Sequence, residues 1–211
     1  LRGKPEEHTS FLRRNAIPDK PVVALLAGSR KQEITANLPV MLQAMKDFPE
    51  YQPVIAGAPG IDKDFYKPYL EDGACIVFGE TYNILNNAHA ALVTSGTATL
   101  ETGIFRVPQV VCYATPMARL YSWLKKRFLK VRFVSLVNLV AGKEVVRELV
   151  AADMRLENVK AELVKILPVD SEERKTMLKE YDRMLGILGE AGASERAASK
   201  IVALLKERKG G

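Results

Sequence analysis

The chain has 211 residues, 47% of them apolar and 27% charged, with 31 lysines and arginines against 25 aspartates and glutamates, a formal net charge of +6. That composition supports a core of its own and reads as one domain with helical additions rather than two full domains. No run approaches about 18 uninterrupted apolar residues, and no charged-then-apolar leader with a small-residue cleavage site stands at the start, so neither a spanning helix nor a secretory signal is expected and the protein reads as intracellular. The excess of positive charge suits nucleic acid, an anionic membrane surface or a phosphorylated small molecule, and composition does not choose among them.

Taken in chain order, residues 1–20 read as a polar linker: the chain opens at Leu1 without a methionine, and residues 2–15 show no apolar grouping, as if a segment upstream had been cut away. Apolar runs bounded by turn residues then predict strands at 22–26, 52–56, 74–78, 90–93 and 109–113, with a sixth at 133–136. Between the first two, Ile34, Leu38, Met41, Leu42 and Met45 fall at helical spacing and Pro49 closes the helix. Further helices are expected at 64–71, 82–88 and 98–105, which makes residues 21–168 a doubly wound, Rossmann-like α/β domain with a parallel sheet covered on both faces. From residue 144 the pattern turns helical, with segments at 144–150, 156–167, 171–188 and 193–209, so residues 169–211 read as closing helices.

Ligands of such sheets sit outside the carboxyl ends of the strands, which directs attention to three loops. The first is Ala27-Gly28-Ser29-Arg30, where glycine lets a backbone approach a ligand and arginine can fork onto phosphate; a plain turn with a solvated arginine accounts for it equally. It is neither a dinucleotide fingerprint nor a P-loop. The second, Thr94-Ser95-Gly96-Thr97-Ala98-Thr99-Leu100-Glu101, places small hydroxyl residues and glycine at a helix start, where free amides and the helix dipole favour an anion. Simple N-capping by Ser95 or Thr97 is the plainer alternative. Glu101, one turn in, would repel that anion unless it faces neutral groups such as ribose hydroxyls, from which it can accept two hydrogen bonds. The third, Phe78-Gly79-Glu80-Thr81-Tyr82, offers backbone groups to the edge of a base, or is a turn capped by Thr81.

These loops, together with Val107-Pro108-Gln109-Val110-Val111-Cys112-Tyr113 and the string Val134-Ser135-Leu136-Val137-Asn138-Leu139-Val140-Ala141-Gly142-Lys143-Glu144, resemble the lipid-A-disaccharide synthase family over nearly the whole chain. The last string carries the resemblance best, since other transferases share something like the S-G-T…E pattern. The resemblance implies the C-terminal, donor-binding half of a two-domain glycosyltransferase-B fold. It implies an inverting transfer of 2,3-diacylglucosamine from UDP to 2,3-diacylglucosamine 1-phosphate in lipid A biosynthesis, the acceptor side and the general base lying in a separate N-terminal half. It implies that Ser95, Gly96 and Thr97 hold the diphosphate, that Glu101 holds the ribose, and that Arg30 neutralises charge on departing UDP while Asn138 orients donor sugar or phosphate; Gly28 and Ser29 of the first loop are further candidates for binding the donor. No metal or cofactor is implied, the UDP-sugar being a substrate, and no nucleic-acid partner. The chain departs from the family at Ala27 and Val137, where proline is usual, and at Lys143, where arginine is frequent; the last exchanges a forked phosphate contact for a point charge.

Residues 117–132 put Leu120, Trp123, Leu124 and Phe128 on one face of an expected helix, with Arg119, Lys125, Lys126, Arg127 and Lys130 around it. This is either a helix lying in a membrane interface or a surface helix packed on the sheet. Acylated substrates favour the former and a peripheral position on the inner face of the cytoplasmic membrane. Cys75 and Cys112 sit in strand-like runs and read as buried thiols, and His8 and His89 follow no glycine loop and are given no catalytic part. The competing readings are another UDP-GlcNAc enzyme of the same fold, a 2-epimerase or the peptidoglycan transferase, and a nucleotide-binding module without turnover.

Overall fold

The computed structural model describes residues 7–71, 73–94, 96–114 and 133–189. Six parallel strands form one sheet in the order β3-β2-β1-β4-β5-β6: β1 Val22–Leu26, β2 Gln52–Gly57, β3 Cys75–Phe78, β4 Ala88–Val93, β5 Gln109–Tyr113 and β6 Glu148–Val150. β1 shows why the strands read as unbroken apolar runs. Val23 and Leu25 enter the core on one face of the sheet, and Val22, Ala24 and Leu26 enter the core on the other. With both faces covered, every position of a central strand must be apolar.

The helices divide between those cores. Ile34, Leu38 and Met41 of α2 (Lys31–Met45) fill the first together with Val137 of α5 (Leu136–Ala141), Val159 and Leu163 of α6 (Leu156–Ile166), and Met177, Tyr181 and Met184 of α7 (Glu172–Gly189). The second takes Phe11 and Leu12 of α1 (His8–Arg14), Ile84 and Leu85 of α3 (Thr81–Asn87), and Phe105, which follows α4 (Thr97–Ile104). A 3-10 helix at Lys63–Tyr69 replaces the helix expected at 64–71, its start held by Asp62 accepting from the Asp64 amide.

Three expectations need correction. The region read as linker contains α1, whose Phe11 is wholly buried and which ties back through Ile17 N–H to the Leu12 carbonyl. A seven-residue helix does not persist alone, but burying a phenylalanine contributes about 1.5–3 kcal/mol, and that tertiary contact is what the sequence did not display. The strand expected at 133–136 does not form. Instead Ser135 caps α5 by accepting from the Asn138 amide, and Gly142, at φ 70°, ends it in the left-handed conformation. The helix expected at 144–150 gives way to β6, which pairs Val111, Cys112 and Tyr113 with Glu148, Leu149 and Val150. Both errors concern short apolar runs, whose period is ambiguous until a neighbour supplies the pairing edge. The helix expected at 193–209 and the amphipathic stretch 117–132 lie outside the described residues.

Candidate functional site

The strand order reverses between β1 and β4. Chain connections leave in opposite directions at that point, so a crevice opens at the carboxyl ends of the two strands. The Thr94 amide donates to the Leu26 carbonyl at 2.8 Å, which starts the loops after β1 and β4 side by side. Two loops singled out from sequence, about 67 residues apart along the chain, are thus brought together by topology.

The β1 loop is tightly braced. Gly28 sits at φ 122°, and a Cβ there would lie 2.6 Å from the Glu33 Cβ and 2.7 Å from its Oε2, so no other residue fits without moving α2. Glu33 accepts from the Ser29 amide at 3.0 Å and pairs with Arg30 Nη1 at 3.2 Å, while the Arg30 side chain remains 80% exposed. The wholly buried Asn37 donates to the Ala27 and Glu33 carbonyls at 3.3 and 2.8 Å and accepts from the Ala114 amide at 2.6 Å, fastening the loop to the end of β5. Ser29 and Arg30 therefore offer an amide and a guanidinium to a carboxylate, the donor set an anion requires. Glu33 and Asn37 were missed from sequence. The signal for the first was present, an acidic residue at the third helical position as in a capping box.

The β4 loop places Gly96, at φ 134°, in the capping position of α4. Glycine has no side chain to cap with, so the first helical amides keep their donor capacity, and both Gly96 and Thr97 are exposed. Ser95 lies outside the described residues. Thr99 Oγ1 donates to the Gly96 carbonyl at 2.8 Å and accepts from the Leu136 amide at 3.2 Å, so α5 holds the first turn of α4 from behind. The hydroxyl of Thr94, which follows β4, is buried and has no hydrogen-bond partner among the described residues.

Glu101 stands half-exposed one turn into α4, and Tyr82 of the β3 loop donates its phenol to Glu101 Oε1 at 3.2 Å. The Tyr82 ring stacks on Phe105, centroids 5.3 Å apart, and the neighbouring carboxylate raises the phenol pKa. Beside it, Glu80 accepts from both terminal nitrogens of Arg14 at 2.7 Å and from Asn83 at 3.0 Å, which brings its carboxyl down to about 2. α1 is thereby clamped to the third loop.

Asn138 must be removed from the site. It is wholly buried and all four of its hydrogen-bonding positions are taken: Nδ2 donates to the Val146 carbonyl at 2.8 Å and to Glu148 Oε1 at 2.9 Å, and Oδ1 accepts from the Val145 and Val146 amides at 2.7 and 2.9 Å. Glu148 in turn accepts from the amides of Val134 and Ser135 and from the Ser135 hydroxyl. The most distinctive string of the sequence is therefore an internal bracket, and among the described residues its hydrogen bond towards the crevice runs from the Leu136 amide to Thr99. Lys143 points away as well, paired with Glu180 of α7 at 2.7 Å.

At the opposite end of the sheet, a depression of about 420 Å³ is lined by His8, Asp19, Lys20, Asn87 and His89 among others. It adjoins the amino ends of β1 and β4, where this fold presents no convergent loops. His8 pairs with Asn87 and His89 with the Leu167 carbonyl, and burial lowers the His89 pKa. Cys112 is buried and Cys75 partly so, and burial pushes both thiols up. Among the described residues no helix is long and apolar enough to cross a membrane, and no cluster of histidine, cysteine and carboxylate side chains could hold a metal.

Comparison with known proteins agrees with this architecture. The most similar solved structures include Arabidopsis thaliana UGT89C1 (TM-score 0.53, 16% identity, covering 95% of this chain and 47% of that one) and a putative UDP-N-acetylglucosamine 2-epimerase from Listeria monocytogenes (0.53, 12%, 89% and 48%). At such identities they speak for the fold alone, half of a glycosyltransferase-B architecture. Sequence is more specific. The lipid-A-disaccharide synthase of Myxococcus xanthus (strain DK1622) is 38% identical over 209 residues, 95% of this chain and 54% of the relative, and that of Syntrophus aciditrophicus (strain SB) is 36% identical over 197 residues, 90% and 51%. The chain thus spans about half the length of the curated relatives it matches. The model of the lipid-A-disaccharide synthetase family matches residues 4–202, and the chain belongs to that family.

Proposed function

We propose that this chain is the donor-binding half of a lipid-A-disaccharide synthase, holding UDP-2,3-diacylglucosamine while the sugar passes to 2,3-diacylglucosamine 1-phosphate with inversion at the anomeric carbon. One observation supports this most: at the reversal of strand order, the Thr94–Leu26 hydrogen bond starts side by side a loop that carries an exposed guanidinium and a loop that leads into an uncapped helix start with a carboxylate one turn deeper. The amides at Gly96 and Thr97, with Ser95, receive the diphosphate; Gly28 and Ser29 let the β1 loop approach it. Glu101 accepts from the ribose hydroxyls.

In the transfer, the bond between the anomeric carbon and the diphosphate oxygen breaks and negative charge grows on UDP. Preorganised amide dipoles and a cation aimed at that position stabilise the charge as it forms. Arg30 supplies the cation, and it must swing only from Glu33, to which it is held by an exposed and therefore weak ion pair. The general base and most of the acceptor site belong to the part of the relatives that this chain does not match. The family relationship favours this reading over a 2-epimerase or a peptidoglycan transferase, and a donor assay comparing acylated with unacylated UDP-glucosamine separates them.

The deciding experiment is calorimetric titration of UDP, repeated after Glu101→Ala and Ser95→Ala. Each substitution is expected to weaken binding about tenfold, the loss of one charge-assisted or helix-start interaction. No binding, or binding indifferent to both changes, refutes the site. We also assign the protein to the cytoplasmic membrane's inner face, where acylated substrates reside, with residues 117–132 as the attachment; failure to sediment with anionic vesicles at low salt, under conditions where a control basic protein does, rules that out.

A further inference from the structure

Glu101 is a flexible side chain on a helix surface, yet one of its oxygens is already engaged. The partner, Tyr82, comes from a different loop, the one after β3, and its own ring is fixed by stacking on Phe105, which is buried at the end of the very helix that carries Glu101. The three residues form a closed triangle: α4 holds the phenyl ring, the ring holds the tyrosine, and the tyrosine holds the carboxylate. Among the described residues no other hydrogen-bond donor reaches the Glu101 carboxylate, so its second oxygen remains open to a ligand.

We propose that Tyr82 is the positioning residue of Glu101, and that through this hydrogen bond the β3 loop sets how strongly the donor's ribose is gripped. The inference rests on the donor-site reading above. A carboxylate offers about four acceptor directions; one phenol occupies one of them and fixes the plane of the group, and the two hydroxyls of a ribose take two of those that remain without first freezing the side chain's rotamers. The phenol stays protonated as a donor because the adjacent negative charge opposes its ionisation. Were the phenol instead a competitor for the ribose, its removal would tighten binding, so the sign of the effect decides between the two roles.

The test titrates UDP and 2′,3′-dideoxy-UDP into the chain, in wild type, Tyr82→Phe, Glu101→Ala and the double variant. Tyr82→Phe keeps the ring and its stack, and unchanged thermal unfolding verifies that the fold is intact. The expected result is UDP binding weakened on the order of fivefold in Tyr82→Phe, the scale of one partly exposed hydrogen bond to a charge. The dideoxy ligand should bind unchanged, and Tyr82→Phe should add nothing in the Glu101→Ala background. Equal losses for both ligands, tighter UDP binding, or ribose discrimination undiminished in Tyr82→Phe each overturn the proposal. A wild-type chain that binds both ligands alike, or neither, sinks the donor-site reading first and the role of Tyr82 with it.

Discussion

Asn138→Ala separates structural from substrate-binding roles more cleanly than any other single change. The amide side chain satisfies two backbone N–H groups, one carbonyl and one carboxylate oxygen, all within 2.9 Å and none reached by solvent through the buried asparagine. Alanine takes this partner from all four groups, and of them Glu148 Oε1 keeps the Ser135 amide and hydroxyl. With a net loss of about 1 kcal/mol for each neutral pair, and more for the one ending on Glu148, the expected destabilisation is about 4–5 kcal/mol. That is a large share of the roughly 5–15 kcal/mol available to a folded domain, and corresponds to a fall in Tm of roughly 8–20 °C. Urea denaturation followed by circular dichroism measures the first quantity, and calorimetric titration at low temperature measures UDP affinity of the folded fraction, which should stay within about twofold of wild type because Asn138 reaches the crevice indirectly, through the Leu136 amide on Thr99. If stability is untouched while UDP affinity drops by more than about tenfold, the side chain contacts ligand and the bracket argument is wrong.

Other outcomes follow from the same geometry. Gly28→Ala must push its Cβ against Glu33 at a backbone angle alanine avoids, and should cost about 1–3 kcal/mol of stability along with most of the affinity for UDP; thermal unfolding and titration of the purified variant report both. Glu80 has a folded pKa of about 2 against an ordinary 4.5, so its ionised form favours the folded state: this contribution is complete above about 4.5 and disappears as pH falls towards about 2. Arg14→Gln should flatten that acid-side slope, by less at high salt because the arginine is half-exposed, and an unaltered pH profile counts against the clamp between α1 and the β3 loop. Thr94→Val exchanges a buried, unpartnered hydroxyl for a methyl group of nearly the same shape, so the variant should be as stable as wild type or about 1 kcal/mol more so in a denaturant titration; a loss of that size means the hydroxyl has a partner after all.

The division of labour within the site follows from the fold. In the site we propose, the loops after β1 and β4 carry the donors for an anion, and the loop after β3 carries Tyr82, which bonds Glu101. The helices behind them hold these loops still. Asn37 fastens the first to β5, Thr99 fastens the second to α5, and Arg14 fastens the third to α1. None of these three braces need touch a ligand, and each converts a flexible connection into a preorganised one, which lowers the ordering cost of binding.

Periodicity alone located the five longer strands and, of the helices that cover them, α2, α3, α4, α6 and α7, because a strand buried on both faces and an amphipathic helix each leave a repeat of characteristic length in the sequence. The two glycine loops were equally legible, since a positive φ leaves glycine little competition, as at Gly28 (122°, with Glu33 pressed against it) and at Gly96 (134°). Other features depended on partners distant in the chain. A three-residue strand such as β6 has no period of its own and exists through its edge pairing with β5. α1 exists because Phe11 finds Ile84 and Leu85. Most tellingly, an asparagine inside a distinctive string looks the same in sequence whether it meets a substrate or four groups of its own chain. Only the folded path, which carries residues 145–148 back across α5, turned Asn138 inward and left Glu101 and Arg30 at the open edge.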